Sequence, residues 1–260
     1  MKVRIYINRE KPHARKYLDQ VTRSLKDNKI QIVRQNEDII LTCGGDGSLL
    51  KAVRASLKKK TPVLGINTGG LGFLTDIGIN RLDRVVKNLK KGRYKIEERM
   101  VLECRINRQT LYALNDFVVT TSVPGRAIEL LTSISGEYLC RFISDGIIIA
   151  TPTGSTAYSL AASGPILKPT LNAIIISPIC PHTLSVRPLV LSSDDWFEVE
   201  IGKKNKGILV ADGQVHRLLQ YGEKVIFKRS KHHAYLVKAH SYSFIDTLRK
   251  KMKWGGREDA

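Results

Sequence analysis

The feature that most constrains the fold is a change of rhythm near residue 99. Before it, apolar runs alternate with helix-spaced segments. Val3 to Ile7 alternates apolar and polar residues as a partly covered strand does, while Asp38 to Thr42 and Pro62 to Ile66 are short apolar runs of buried-strand type. Ala14, Leu18, Val21 and Leu25 share one helical face; Leu49, Leu50, Val53 and Leu57 share another. Leu82, Val85, Val86 and Leu89 form a third such face, which Gly92 ends. This β-α-β-α order predicts a parallel sheet with helices packed on it.

After residue 99 the helical period all but disappears. Apolar runs at 100–106, 117–121, 127–134, 147–151 and 173–177 are separated mostly by turn residues, as are those at 196–201, 207–211, 224–228 and 234–238. That pattern predicts an all-β sandwich. Ser243 to Trp254 returns to helix spacing through Phe244, Leu248 and Met252 and is expected to pack back on the first domain. The expected fold is therefore an α/β N-terminal domain with a parallel sheet, an all-β sandwich C-terminal domain, and a returning C-terminal helix. The expected domains are 1–98 with 240–260, and 99–239. Tyr17, Trp196 and Trp254 are assigned to core or interface packing.

Composition excludes several classes of function. No apolar run approaches membrane-spanning length, and the first residues lack a signal-peptide core, so membrane insertion and classical secretion are not expected. The four cysteines lie dozens of residues apart with no metal-ligand spacing, and read as reduced fillers of a cytoplasmic protein. Lys and Arg number 43 against 24 Asp and Glu, a formal net charge of +19, which favours anionic partners. No zinc-finger spacing, RNA-recognition aromatics or basic zipper accompanies that charge, so no specific nucleic acid is expected.

Two segments carry chemistry. The strand before Gly44-Gly45-Asp46-Gly47-Ser48 turns directly into a helix, a geometry in which glycine N–H groups and a helix N-terminus favour phosphate. The loop lacks the P-loop lysine and the GxGxxG spacing. Asp46 is the informative residue, because an acid among phosphate-binding glycines repels the ligand unless it holds a metal or takes a proton. The second segment, Ser144-Asp145-Gly146 through Thr153-Gly154-Ser155-Thr156-Ala157-Tyr158, crowds hydroxyls and backbone donors around one aromatic face that can stack on a base.

At these residues the chain resembles the NAD kinases. The matching motifs are GGDGSLL (44–50), NTGGLGFLT (67–75), LND (114–116), SDGIIIATPTGSTAY (144–158), PICPHTLSVRPLV (178–190), DGQ (212–214) and the FIDTLRKKMKW helix. GGDG alone also fits 6-phosphofructokinases and lipid kinases; the TPTGSTAY block is far more specific. The resemblance implies a Rossmann-like first domain and transfer of the terminal phosphoryl group of ATP, or of polyphosphate, to the 2′-hydroxyl of the adenosine ribose of NAD. It implies substrate held between the domains, often with a second subunit completing the site as a homodimer or homotetramer.

Residue by residue, the resemblance makes Asp46 the general base and has Gly44, Gly45 and Gly47 cradle the ATP phosphates. Mg²⁺ or another divalent metal is then held mainly through those phosphates, with no protein ligand assigned. NAD binding is implied for Asp46, Gly47, Phe73, Asn115, Asp116, Asp145, Thr156, Ala157 and Tyr158. Asp116 stands where the family carries Glu, and Ala161 removes a hydroxyl the family pattern supplies. Ile143 stands where NAD-selective members often carry Arg, which implies weak discrimination against NADH. His182 reads as shaping a loop, and Asp212 as either a turn residue or a support for the site. A lipid or sugar kinase, and a basic binding protein without catalysis, are the rival readings.

Overall fold

A computed structural model describes residues 1–7, 17–70, 72–75, 77–203, 206–239 and 243–254. The chain divides into two compact units, Met1–Glu98 with Ala234–Ala260, and Arg99–His233. No helix among the described residues is long and apolar enough to cross a membrane.

The first unit contains β1 (Lys2–Ile7), α1 (Leu18–Asp27), β2 (Gln31–Ile32), β3 (Ile39–Cys43), α2 (Asp46–Ser56), β4 (Val63–Asn67), β5 (Ile77–Gly78) and α3 (Leu82–Lys90). Ala14, expected on the first helix, lies outside the described residues. The strands pair in parallel in the order β4-β3-β1-β2, with β5 against β4. Every residue of β3 and β4 is buried, as befits parallel strands covered on both faces. Leu82, Val85, Val86 and Leu89 of α3 join Val3, Leu41, Leu64 and Ile66 in one apolar core. Burying each such side chain contributes about 1.5–3 kcal/mol. The last turn of α3 closes through Gly92, at φ +67°, whose N–H donates to Leu89 O at 3.0 Å. From β1 the chain moves to β2 on one side, and from β3 to β4 on the other. The strand order therefore reverses at the β1–β3 pair, and in open α/β sheets ligands bind beyond the carboxyl ends at that point. The carboxyl end of β3 is Cys43, immediately before the glycine turn.

The second unit is antiparallel. One sheet runs β13 (Leu189–Ser192), β12 (Ala173–Ile179), β11 (Gly146–Ala150), β8 (Asp116–Thr121), β15 (Gly207–Ala211), β16 (Val215–Leu219). In the other, β10 (Glu137–Ser144), β9 (Ile128–Ile134), β14 (Trp196–Ile201) and the first part of β17 (Lys224–Lys238) are neighbours in that order. β6 (Lys95–Ile106) and β7 (Gln109–Ala113) pair with each other. Their inner faces build a core around Phe117, Phe197 and Phe227, with the Phe117 and Phe227 ring centroids 5.4 Å apart.

Two expectations are corrected. The runs at 224–228 and 234–238 are one strand that continues through the polar stretch between them, where the buried positions shift from odd numbers (Val225, Phe227) to even ones (Ser230, Ala234, Leu236). The return to the first unit comes at Ala234 rather than 240, since Leu236 of β17 pairs with Val63 of β4. A short helix, α4 (Tyr158–Ala161), follows β11 in the second unit, while α5 (Phe244–Met252) belongs to the first and starts on a capping box. Asp246 N–H donates to Ser243 Oγ at 3.1 Å, and Ser243 N–H donates to Asp246 Oδ2 at 2.9 Å. Tyr17 and Trp196 are half-buried, but Trp254 is exposed, because it lies beyond the left-handed Lys253 that ends α5.

Candidate functional site

The sequence-predicted residues fall into two clusters, one in each unit. In the first, Gly44 leaves β3 at φ +141°, and its N–H donates to Ile66 O at 2.9 Å. A side chain there would run into Ser48, so Gly44 is required by the turn itself. At Gly45 a Cβ would meet nothing within 4 Å, so packing does not explain that glycine. Asp46 opens α2, and its carboxylate reaches across to the loop after β4. It accepts from Phe73 N–H (2.9 Å), Leu74 N–H (3.2 Å), Thr75 N–H (2.9 Å) and the Thr75 hydroxyl (2.8 Å). A Cβ on Gly72 would overlap the Asp46 carboxylate, so this clasp needs glycine at 72. Phe73 is half-buried, with the Lys251 ammonium of α5 5.4 Å from its ring centroid, a cation–π distance. Cys43, next to the turn, is not a nucleophile: burial pushes its thiol up to about 12.

The second cluster is a backbone knot held by Asp212. This residue sits at φ +49°, a conformation that aspartate tolerates, and its carboxylate accepts three consecutive N–H groups. These belong to Leu114 (3.1 Å), Asn115 (2.8 Å) and Asp116 (3.3 Å). The same loop is tied to the segment after β11: Thr151 N–H donates to Asn115 O at 2.9 Å, and Thr151 Oγ1 donates to Leu114 O at 2.6 Å. Gly154 N–H donates back to Thr151 Oγ1 at 3.0 Å, and a Cβ on Gly154 would overlap the Asn115 backbone. Asn115, Asp116 and the Thr153–Thr156 turn leading to Ala157 and Tyr158 are thereby brought together. Tyr158 is 49% exposed, so its ring is free to stack on a ligand.

Asp145 and Ile143 are not part of that knot. Gly146 pairs with Thr120 at one end of β11 and Ala150 with Asp116 at the other, so Asp145 lies roughly 17 Å along the strand from Asp116. The Asp145 side chain is exposed. The carbonyl of Ile143 accepts the His182 backbone N–H at 2.9 Å.

Asp116 is 5% exposed, and its carboxyl is pushed up to about 7, first by burial and then by the neighbouring Asp212 charge. A raised acid holds a proton in the folded chain that the unfolded chain has released. Its contribution to stability is complete below about pH 4 and is lost as pH rises through about 7. Asp116→Asn removes that loss. A carboxyl raised by one pH unit costs about 1.36 kcal/mol once ionised, so the variant gains up to about 4 kcal/mol on the parent between pH 4 and 8. Melting temperatures across that range measure it; parallel curves for the two proteins would exclude the effect.

Sequence reasoning left three supports unassigned or open. Asp212, read as a turn residue or a site support, braces the 114–116 loop, and its signal was an acid preceding glycine between two short strands. Asn67 and Thr75 lie inside a recognised motif, but nothing in their residue types announced contact with Asp46.

Comparison with known proteins follows the same division. A family model described as the ATP-NAD kinase N-terminal domain matches residues 7–94, and one described as the ATP-NAD kinase C-terminal domain matches residues 114–239. A NAD kinase of Geotalea daltonii is 36% identical over 252 residues, covering 95% of this chain and 87% of that protein. A NAD kinase of Geobacter sulfurreducens is 41% identical over 226 residues, covering 85% and 80%. Among solved structures, yeast NADH kinase complexed with NADH matches with a TM-score of 0.90 at 25% identity, covering 98% of this chain and 88% of that one. An Archaeoglobus fulgidus NAD kinase in complex with ATP matches at 0.81 and 27% identity, covering 98% and 100%.

Proposed function

The chain belongs to the NAD kinase family, and from that premise we propose how its own residues transfer a phosphoryl group from ATP to NAD. The reaction places the terminal phosphoryl group of ATP on the 2′-hydroxyl of the adenosine ribose and yields NADP. One observation carries the assignment of the base: Asp46 stands at the carboxyl end of β3, beside the strand-order reversal, with its carboxylate fixed by the 73–75 loop. A carboxylate is a weak base for an alcohol. In a loose phosphoryl-transfer transition state the proton leaves late, so a fixed position matters more than basicity.

Gly44, Gly45 and Gly47 receive the ATP phosphates; the open space at Gly45 supports close approach. Mg²⁺ or another divalent cation would be carried mainly on the ATP phosphates. When bound, the cation neutralises charge developing on the transferring group. Asp46, Gly47 and Phe73 bind the adenosine end of NAD. Asn115, Asp116, Thr156, Ala157 and Tyr158 also serve the dinucleotide, and their joint tethering through Asp212 and Thr151 supports that grouping. A site completed by a second copy, as a homodimer or homotetramer, belongs to the same reading. Four free thiols, one of them exposed at Cys180, suit a cytoplasmic location.

Steady-state assays with ATP or polyphosphate as donor, and NAD or NADH as acceptor, test this reading. Activity is expected with ATP. With Ile143 in place of a charged sensor, kcat/KM for NADH is expected within roughly tenfold of that for NAD. Ile143→Arg shifts the ratio towards NAD. A strong preference for NAD in the parent chain would reject the role given to Ile143, and no turnover of either acceptor would reject the kinase assignment.

A further inference from the structure

The two oxygens of Asp46 are not equivalent. Oδ1 accepts from the Thr75 hydroxyl (2.8 Å), Thr75 N–H (2.9 Å) and Leu74 N–H (3.2 Å). Among the described residues, Oδ2 accepts from Phe73 N–H alone, at 2.9 Å. A carboxylate oxygen offers about two lone-pair directions, so Oδ1 is saturated while Oδ2 keeps one open.

The Thr75 hydroxyl is itself committed. Asn67 Nδ2 donates to Thr75 Oγ1 at 3.0 Å, to Thr75 O at 2.9 Å and to Gly70 O at 2.7 Å. Asn67 Oδ1 in turn accepts Gly69 N–H at 2.7 Å, which fixes the amide orientation. Asn67 Nδ2 has two hydrogens for these three acceptors, so its bond to the Thr75 hydroxyl is shared; the Thr75 proton goes to Asp46 because a carboxylate oxygen can only accept. Both supports are buried: Asn67 is 3% exposed and Thr75 0%. The pattern follows the logic of a reacting group, a partner that orients it, and a third group that orients the partner.

We propose that Oδ2 of Asp46 is the oxygen that takes the ribose proton, and that Thr75, oriented by Asn67, is a positioning residue for this base. The proposal rests on the assignment of Asp46 as general base. In the step itself the 2′-O–H bond breaks and its proton goes to Oδ2. The 2′-oxygen forms a bond to the terminal phosphorus of ATP. The bridging P–O bond breaks, and its electron pair leaves with ADP. Oδ1 accepts no proton, because its lone pairs are held by the loop.

A double-mutant cycle on kcat, with KM for NAD and melting temperature recorded for each protein, tests the relay. Thr75→Val is expected to lower kcat by about 10- to 100-fold with KM for NAD within about threefold, since Thr75 touches the base and not the substrate. Thr75→Ser, which keeps the hydroxyl, is expected to retain kcat within about threefold. In an Asp46→Asn background, Thr75→Val is expected to cost less than about threefold more, because its effect passes through Asp46. If the valine variant loses its cooperative melt, Thr75→Ala replaces it at the same comparison. Full additivity of the two substitutions, or equal losses for Thr75→Val and Thr75→Ser, would overturn the positioning role while leaving the base intact. An Asp46→Asn protein with parental kcat would instead remove the base on which the relay depends.

Discussion

Asp46→Asn is expected to lower kcat by about 10²- to 10⁴-fold, the usual worth of a positioned general base. Asparagine offers one accepting oxygen where aspartate offers two. If that oxygen keeps the Thr75 and Leu74 donors, the amide nitrogen must face Phe73 N–H, donor against donor. The mismatch costs about 1–3 kcal/mol locally. It does not unfold the unit, because the buried side chains of α2, Leu49, Leu50 and Val53, are untouched. The melting temperature should fall by roughly 2–4 °C for each kcal/mol lost. A variant that keeps more than about a tenth of parental kcat would show that Asp46 secures the loop and takes no proton.

The second large effect is structural and belongs to the other unit. Asp212→Ala removes the acceptor of three successive N–H groups, two of them on the buried residues Leu114 and Asp116. Each orphaned buried donor costs about 1–3 kcal/mol, and alanine at a positive φ adds about 1 kcal/mol. Relief of the Asp116 carboxyl from its acidic neighbour offsets part of this. The net expectation is a loss of roughly 3–5 kcal/mol, read as a melting temperature about 10 °C lower, together with weaker NAD binding. Asp212→Asn, which keeps one accepting oxygen, should fall between parent and alanine. A melt within about 2 °C of the parent for Asp212→Ala would mean that the 114–116 loop holds its shape without this carboxylate.

How much was legible follows from where each residue sits. β3 and β4 are buried on both faces, so they announced themselves as apolar runs; the helices did so through one apolar stripe each. The strands without a legible signal, β2, β5, β7, β10, β13 and β16, lie at sheet margins or are only two residues long. There one side of the backbone faces solvent and the apolar alternation fades, as in Glu137–Ser144 and Leu189–Ser192. Local composition carries burial but not pairing.

The candidate site divides along the same line. Gly44, Asp46 and Tyr158 stood out through their local context: a glycine loop between strand and helix, an acid within it, and one aromatic amid hydroxyls. Asp212, Thr75 and Asn67 act across 96 to 98, 29 and 8 residues of sequence, through hydrogen bonds to a loop or to another side chain. Residue type gives no hint of such a partner, so Thr75 and Asn67 emerge only from the folded chain, and Asp212, left open between turn and support, gains its partners only there. The separation of Asp145 from Asn115 was likewise hidden, since it depends on the register of β11 against β8.

The most direct measurement is the identity of the product formed by the purified chain from NAD, ATP and Mg²⁺. Phosphorus NMR locates the new phosphate, and an NADP-specific dehydrogenase quantifies it. NADP bearing its phosphate on the 2′-oxygen of the adenosine ribose, with stoichiometric ADP, is the expected result. ADP released without a phosphorylated dinucleotide, or a phosphate on any other oxygen, would contradict it.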